Sequence, residues 1–227
     1  MIHSNNKMCD ILFDEPRLLL VLERFGMMLG YRDQTVEEVC QTYQLNSRLF
    51  LIIANLFSHR ERSPIQPQTF DVHDIIPILR FLKNSHVYFL EEKIPKLKQL
   101  INNKINSVPQ ENCTRLIQKF LDDYSREVLE HMEYENRTVF PYIDALLVKK
   151  QTTYSIKQFK EHHTDIEVKL EDLKNLLIQH MPADYDFQLR RKMLLELFDL
   201  ENDIAIHDYI ENYLLIPIVE VLEKERQ

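Results

Sequence analysis

Apolar residues recur at intervals of three and four along most of the chain, the spacing that lines one face of an α-helix. Four long stretches carry the pattern: 75 to about 106, 110 to 147, 154 to 180 and 187 to 224. In the third, Ile156, Phe159, Ile166, Leu170, Leu173 and Leu177 form a continuous stripe. In the second the inward series reads Phe120, Tyr124, Val128, and in the fourth Leu197, Leu200, Ile204. Four amphipathic helices of this length bury their stripes most simply against one another, so an up-down four-helix bundle is the expected architecture.

Three shorter helices are predicted ahead of the bundle, over 16 to about 28, 35 to about 43 and 47 to about 59. Pro16 suits a first-turn position, Thr35 with Glu38 makes a capping box, and Asn46 or Ser47 can cap the third. Gly26 and Gly30 fall where the first should stop. The polar stretch RERSPIQPQTFDVHD then breaks the pattern with Pro64 and Pro67. The expected organisation is a small helical domain over 1–62, a linker over 63–73 and the bundle over 74–227.

Composition agrees with an all-α protein. The chain has only two glycines and no tryptophan, and sheets with tight turns ordinarily need more glycine. A net charge of −8, with no concentration of Lys and Arg, argues against a nucleic-acid partner. Cys9, Cys40 and Cys113 are widely spaced and follow no CxxC pattern, which fits free thiols in a reducing compartment. The N-terminus lacks the basic start and apolar run of a signal peptide, and no stretch reaches membrane-spanning length without charge. A cytoplasmic location and no membrane partner are expected.

The chemistry lies in a repeat. HMEYENRTVFP, beginning at His131, and HDYIENYLLIP, beginning at His207, share H-x3-E-N-x4-P at an offset of 76 residues. His131 and Glu135 are four apart, as are His207 and Glu211, so each pair lies on one helix face about a turn apart. Both pairs continue the apolar stripes of their helices. His86, between Leu82 and Phe89, does the same in the first long helix. In the third, the offset of 76 from His86 points to His162, whereas the phase of the stripe points to His163. A loop can absorb one residue, but turning a helix by about 100° would expose its apolar face, so His163 is chosen over His162.

One histidine on an apolar face is ordinarily a hydrogen-bonded core residue, and one HxxxE is ordinarily a surface pair. Two inward copies of the motif, with an inward histidine on each remaining helix, require more. Buried carboxylates need a cation or must shift their pKa, and four imidazoles with two carboxylates suit two iron or manganese ions with coordination positions left open. A closed structural zinc site would want four ligands, usually thiolates. Pro141 and Pro217, six residues after each Glu, are expected to mark matching kinks. Glu127, one turn before His131, reads as an exposed helix-face carboxylate.

The segments SHVYFLEEKIP, HMEYENRTVFP, EHHTDIEVKL and HDYIENYLLIP resemble, in order, the haemerythrin-like HHE cation-binding family. Within it the chain is most similar to the repair-of-iron-centres proteins, which act under nitrosative and oxidative stress on damaged iron–sulfur clusters. The resemblance implies a haemerythrin-like bundle and a non-haem di-iron centre held by His86, His131, Glu135, His163, His207 and Glu211, with the two glutamates bridging. Iron is preferred over manganese on that ground. It implies nitric oxide, oxygen or peroxide as small reactants, iron–sulfur proteins as clients, and a homodimer as a candidate assembly. The segment PRLLLVLERFGMMLGYRDQTVEEVC is similar to the small domain that precedes the bundle in the repair proteins. Where those carry two adjacent cysteines, this chain has Gly30 and Tyr31, although Cys40 persists. A haemerythrin-like binder or sensor of oxygen or nitric oxide, without turnover, is therefore the alternative. No catalytic residue is assigned.

Overall fold

A computed structural model describes residues 1–58, 70–102, 111–162, 167–183 and 185–226. Among the described residues every regular element is a helix, with one isolated bridge between Lys7 and Thr35 and no strand. They pack as two compact units, one of Met1–Ser85, Tyr142–Ile156 and Ile206–Gln227, the other of His86–Pro141 and Lys157–Ala205.

The first unit opens with α1 (Met8–Asp14), α2 (Leu18–Phe25), α3 (Val36–Thr42) and α4 (Ser47–Ser58). Helix α1 goes beyond the expected set. Seven residues with only Met8 and Ile11 buried give too few turns for a periodic signal. Helix α2 stops before the expected end at 28, because Gly26 takes a left-handed φ of 73° and Met27 N–H closes back on Leu22 C=O at 2.8 Å. The Thr35 capping box is present in full: Glu38 N–H donates to Thr35 Oγ1 at 3.2 Å, and Thr35 N–H donates to Glu38 Oε2 at 2.8 Å. Asn46 Oδ1 accepts from Arg48 N–H at 3.0 Å and so caps α4.

Asp71 caps a short 3₁₀ turn, Val72–Asp74, that leads into α5 (Ile75–Val87). Phe81 of α5 packs on Phe25 and Phe57 with ring centroids 4.9 and 6.2 Å apart. Buried Arg24 lies over Phe57 and Phe81, its guanidinium carbon 5.4 and 5.6 Å from their ring centres. Asn84 donates to Arg24 C=O at 2.8 Å. In the same unit, the Tyr142 hydroxyl and the Ile156 N–H both donate to Glu223 Oε1, the latter at 2.8 Å.

The second unit holds four helical stretches around one core. They are a wide turn, Tyr88–Lys93, with α6 (Ile94–Asn102); α7 (Glu111–Tyr134); α9 (Ile156–His162) from Lys157 onward, with α10 (Glu167–Asn175); and α11 (Phe187–Ile210) as far as Ala205. Phe89, Leu97, Leu121, Val128, Leu170, Leu177, Leu197 and Leu200 are among the buried residues that fill it. The described stripe residues therefore point inward as their spacing requires, Ile166 lying outside the described residues, with one correction: Phe120 is 37% exposed, and Ile117 and Leu121 take the inward positions beside it. Lys93 is buried here and pairs with Glu196 at 2.9 Å and with Asp199.

The long helices share a local departure. Tyr88–Lys93, Glu135–Val139, Leu176–His180 and Glu211–Leu215 are π-helical, and each ends two residues before a proline: Pro95, Pro141, Pro182 and Pro217. A proline cannot donate to the carbonyl four residues back, and its ring presses on that carbonyl; widening the preceding turn relieves both. In three cases the residue just before the proline donates five residues back, Ile94 to Phe89, Phe140 to Glu135 and Ile216 to Glu211, and the helix continues, into α8 (Phe140–Leu147) and α12 (Ile216–Lys224) in the last two. In the fourth, Met181 turns extended ahead of Pro182 and the helix ends. The kinks expected at Pro141 and Pro217 thus take the form of wide turns.

Candidate metal centre

Two half-sites carry the repeat, one in each unit. In the second unit, the last turn of α7 presents His131, and Glu135 opens the wide turn that follows. Glu135 is 0% exposed. Its Oε1 lies 2.9 Å from His131 Nε2 and its Oε2 lies 3.0 Å from His86 Nε2, so each carboxylate oxygen faces one imidazole nitrogen. Ligand atoms bound at about 2.1 Å and right angles to one ion are about 3 Å apart, which is the spacing seen here. The residues therefore fit a metal, with one Glu135 oxygen beside each imidazole nitrogen.

His86 is held from its other side as well. Its Nδ1 is 3.1 Å from Asn136 Oδ1, and its ring stacks on Phe140 at 5.4 Å and 23°. Neither residue was assigned from the sequence. The signal for Asn136 was present, since the asparagine after the glutamate belongs to both copies of the repeat. Phe140 was marked only by the apolar stripe.

In the first unit, α11 ends with His207 in its last turn, and Glu211, also 0% exposed, opens the matching wide turn. Here the contacts are looser. His207 Nδ1 is 3.7 Å from Glu211 Oε2 and 3.6 Å from Asp208 Oδ1. Asp208 has no carboxylate counterpart in the first copy, where Met132 stands. It is a further acidic group at this half-site that the motif comparison passed over.

His86, Glu135, His207 and Glu211 are all buried and all offer metal-ligating atoms. His163 lies outside the described residues, as does the side chain of His162. The linker over 63–73 falls largely outside them too. His3, His73 and His180 are exposed, and Glu127, half-buried, pairs with Lys169.

Cys9, Cys40 and Cys113 are free. Cys40 is buried, and burial with the nearby charge of Glu37 pushes its thiol up to about 12, so it stays protonated at neutral pH. Tyr31 is buried, and burial pushes its phenol up to about 12.

The chain belongs to the hemerythrin HHE cation-binding family, whose model matches residues 78–225. With its buried histidines and glutamates it is a metal-binding, all-α protein of the haemerythrin-like helical bundle type. It is similar to the iron-sulfur cluster repair protein ScdA of Staphylococcus haemolyticus (strain JCSC1435), with 22% identity over 223 residues that cover 95% of this chain and 98% of the relative. That match takes in the helices ahead of residue 78 as well as the bundle. Among the described residues no helix is long and apolar enough to cross a membrane.

Proposed function

We propose that the two half-sites are the two sides of one non-haem di-iron centre, held by His86, His131, Glu135, His163, His207 and Glu211 with the glutamates bridging. The observation that carries this reading is the repeat. Each copy of H-x3-E-N-x4-P folds into the same device, a buried histidine followed by a buried glutamate that opens a wide turn ahead of a proline. When bound, the ions supply open coordination positions for nitric oxide, oxygen or peroxide. The chain's own part is to hold the imidazoles and carboxylates of His86, His131, Glu135, His207 and Glu211 in buried positions.

In this reading the protein is cytoplasmic and acts in the repair of iron–sulfur clusters damaged under nitrosative or oxidative stress. The full-length similarity to a named cluster-repair protein supports it, as does the similarity of residues 1–62, proposed here as the small domain that precedes the bundle. Its partners would be iron–sulfur proteins. A second reading, a binder or sensor of oxygen or nitric oxide without turnover, is favoured by Gly30 and Tyr31 at the cysteine pair and by the raised, buried Cys40 thiol.

Metal analysis tests the centre: about two irons per chain are expected, and His131→Ala with His207→Ala should abolish them. Unchanged iron in the double variant sinks the ligand assignment. Recovery of an inactivated cluster enzyme by iron-loaded protein separates the two functions. Stoichiometric nitric oxide binding with no recovery would overturn repair in favour of sensing.

A further inference from the structure

We propose that Asn136 is the positioning residue that fixes which nitrogen His86 offers to the centre, an inference that rests on the di-iron reading above. An imidazole that gives Nε2 to an ion has a bare lone pair there and carries its proton on Nδ1. That proton needs an acceptor, and metal-bound histidines ordinarily find one in a carbonyl, a carboxylate or a water. In His86, Nε2 faces Glu135 Oε2 at 3.0 Å, and Nδ1 faces the side-chain carbonyl of Asn136 at 3.1 Å. Phe140, stacked on the ring, removes the remaining freedom of rotation.

Two consecutive residues thus address the two nitrogens of one imidazole, Glu135 the ligating one and Asn136 the protonated one. On a regular α-helix neighbours diverge by about 100° and seldom serve one site. Glu135 and Asn136 open the π-helical turn, which holds more residues per turn and brings successive side chains closer in direction. The wide turn and the Glu-Asn pair therefore work together, and the proline two residues beyond the turn keeps it wide.

The chemical identity of the acceptor also has a consequence. A carboxylate at this place would draw the Nδ1 proton and make the imidazole a stronger donor. The neutral amide orients the ring while leaving it an ordinary neutral ligand, which favours the reduced state of the ion relative to a carboxylate-backed histidine.

The test compares wild-type protein with Asn136→Ala and Asn136→Asp by iron titration, by potentiometry, and by the solvent exchange of the His86 Nδ1 proton in the ferrous protein. Asn136→Ala is expected to lower iron affinity about 10–100-fold and to speed that exchange. Alanine is the better helix former, so the metal-free protein should remain folded by circular dichroism and the loss cannot be ascribed to unfolding. Asn136→Asp should bind iron close to wild type and lower the midpoint potential, an outcome that a merely structural role for Asn136 does not produce. If wild-type protein takes up no iron, the di-iron reading fails and this inference with it. If wild type binds iron and Asn136→Ala matches it in affinity and exchange, or Asn136→Asp behaves as Asn136→Ala does, the inference alone is overturned.

Discussion

Replacing Lys93 by Met tests how the core of the second unit is held beside the centre. Lys93 closes the wide turn that begins two residues after His86, is 5% exposed, and reaches Glu196 and Asp199 of α11. Methionine keeps the length of the stem and its packing but removes the charge, so the loss measures the ammonium alone. Breaking a fully buried ion pair costs about 3–5 kcal/mol, because the carboxylate left behind is stranded. Glu196 is 21% and Asp199 38% exposed, so water re-enters to solvate both. That brings the expected loss to about 2 kcal/mol. In urea, with a slope of about 2–3 kcal/mol per molar, the midpoint of metal-free protein should fall by about 0.7–1 M.

The pH dependence has a definite sign. Burial alone would raise Glu196, but hydrogen bonds from Lys96 and Lys93 outweigh it and hold the carboxyl below its ordinary value. Its contribution is therefore present at neutral pH and is lost as the pH falls through the lowered value, so wild type and Lys93→Met should converge in acid. Burial alone would lower Lys93, yet Asp199 and Glu196 hold it above its ordinary value, so the difference should be full up to the ordinary lysine range and be lost as the pH rises through the raised value. A midpoint shift under about 0.2 M, or a gap that fails to close in acid, would refute the idea that this cluster carries the charge energy.

Thr35→Ala removes the acceptor of the α3 capping box and should destabilise the metal-free protein by about 1 kcal/mol in urea unfolding, with α3 amides exchanging faster. Gly26→Ala puts a Cβ on a backbone at φ 73° and should cost about 1 kcal/mol by the same measurement, although the nearest outside atom, Arg80 Cδ at 3.9 Å, leaves it room. Pro141→Ala restores the missing N–H and lets the turn at Glu135 tighten, so iron bound per chain should fall below wild type while helix content by circular dichroism holds. Unchanged iron in that variant would mean that the proline does not maintain the wide turn.

The stripes were legible because burial acts on every third or fourth residue. Leu79, Leu82, Leu197, Leu200, Ile204 and Leu214 are all buried where their spacing puts them. His86, His131, Glu135, His207 and Glu211 could be read the same way, as polar residues standing at apolar positions, and all five are buried. The capping box was legible because its two hydrogen bonds lie within four residues. Phe120 was misplaced because it sits at the edge of its stripe, where 100° steps leave a ring half in water. The wide turns could not be read at all, since within five or six residues a spacing of three or four fits a π-turn and an α-turn alike; the prolines hinted at a disturbance without its form. Asn136 escaped for a related reason. On a regular helix the residue after Glu135 points elsewhere, and only the widened turn brings its amide to His86.

A π-turn is, in evolutionary terms, a one-residue insertion that a helix has absorbed without losing its inward face. The wide turns at Tyr88–Lys93, Glu135–Val139 and Glu211–Leu215 therefore tie two kinds of change together in the descent of this chain. A lineage that loses Pro95, Pro141 or Pro217 is free to tighten the turn, and it then keeps its stripe in phase only by deleting one residue nearby. A lineage that deletes the residue first must lose the proline or break the helix. Related chains should consequently differ at these three points by proline and length together, and seldom by either one alone.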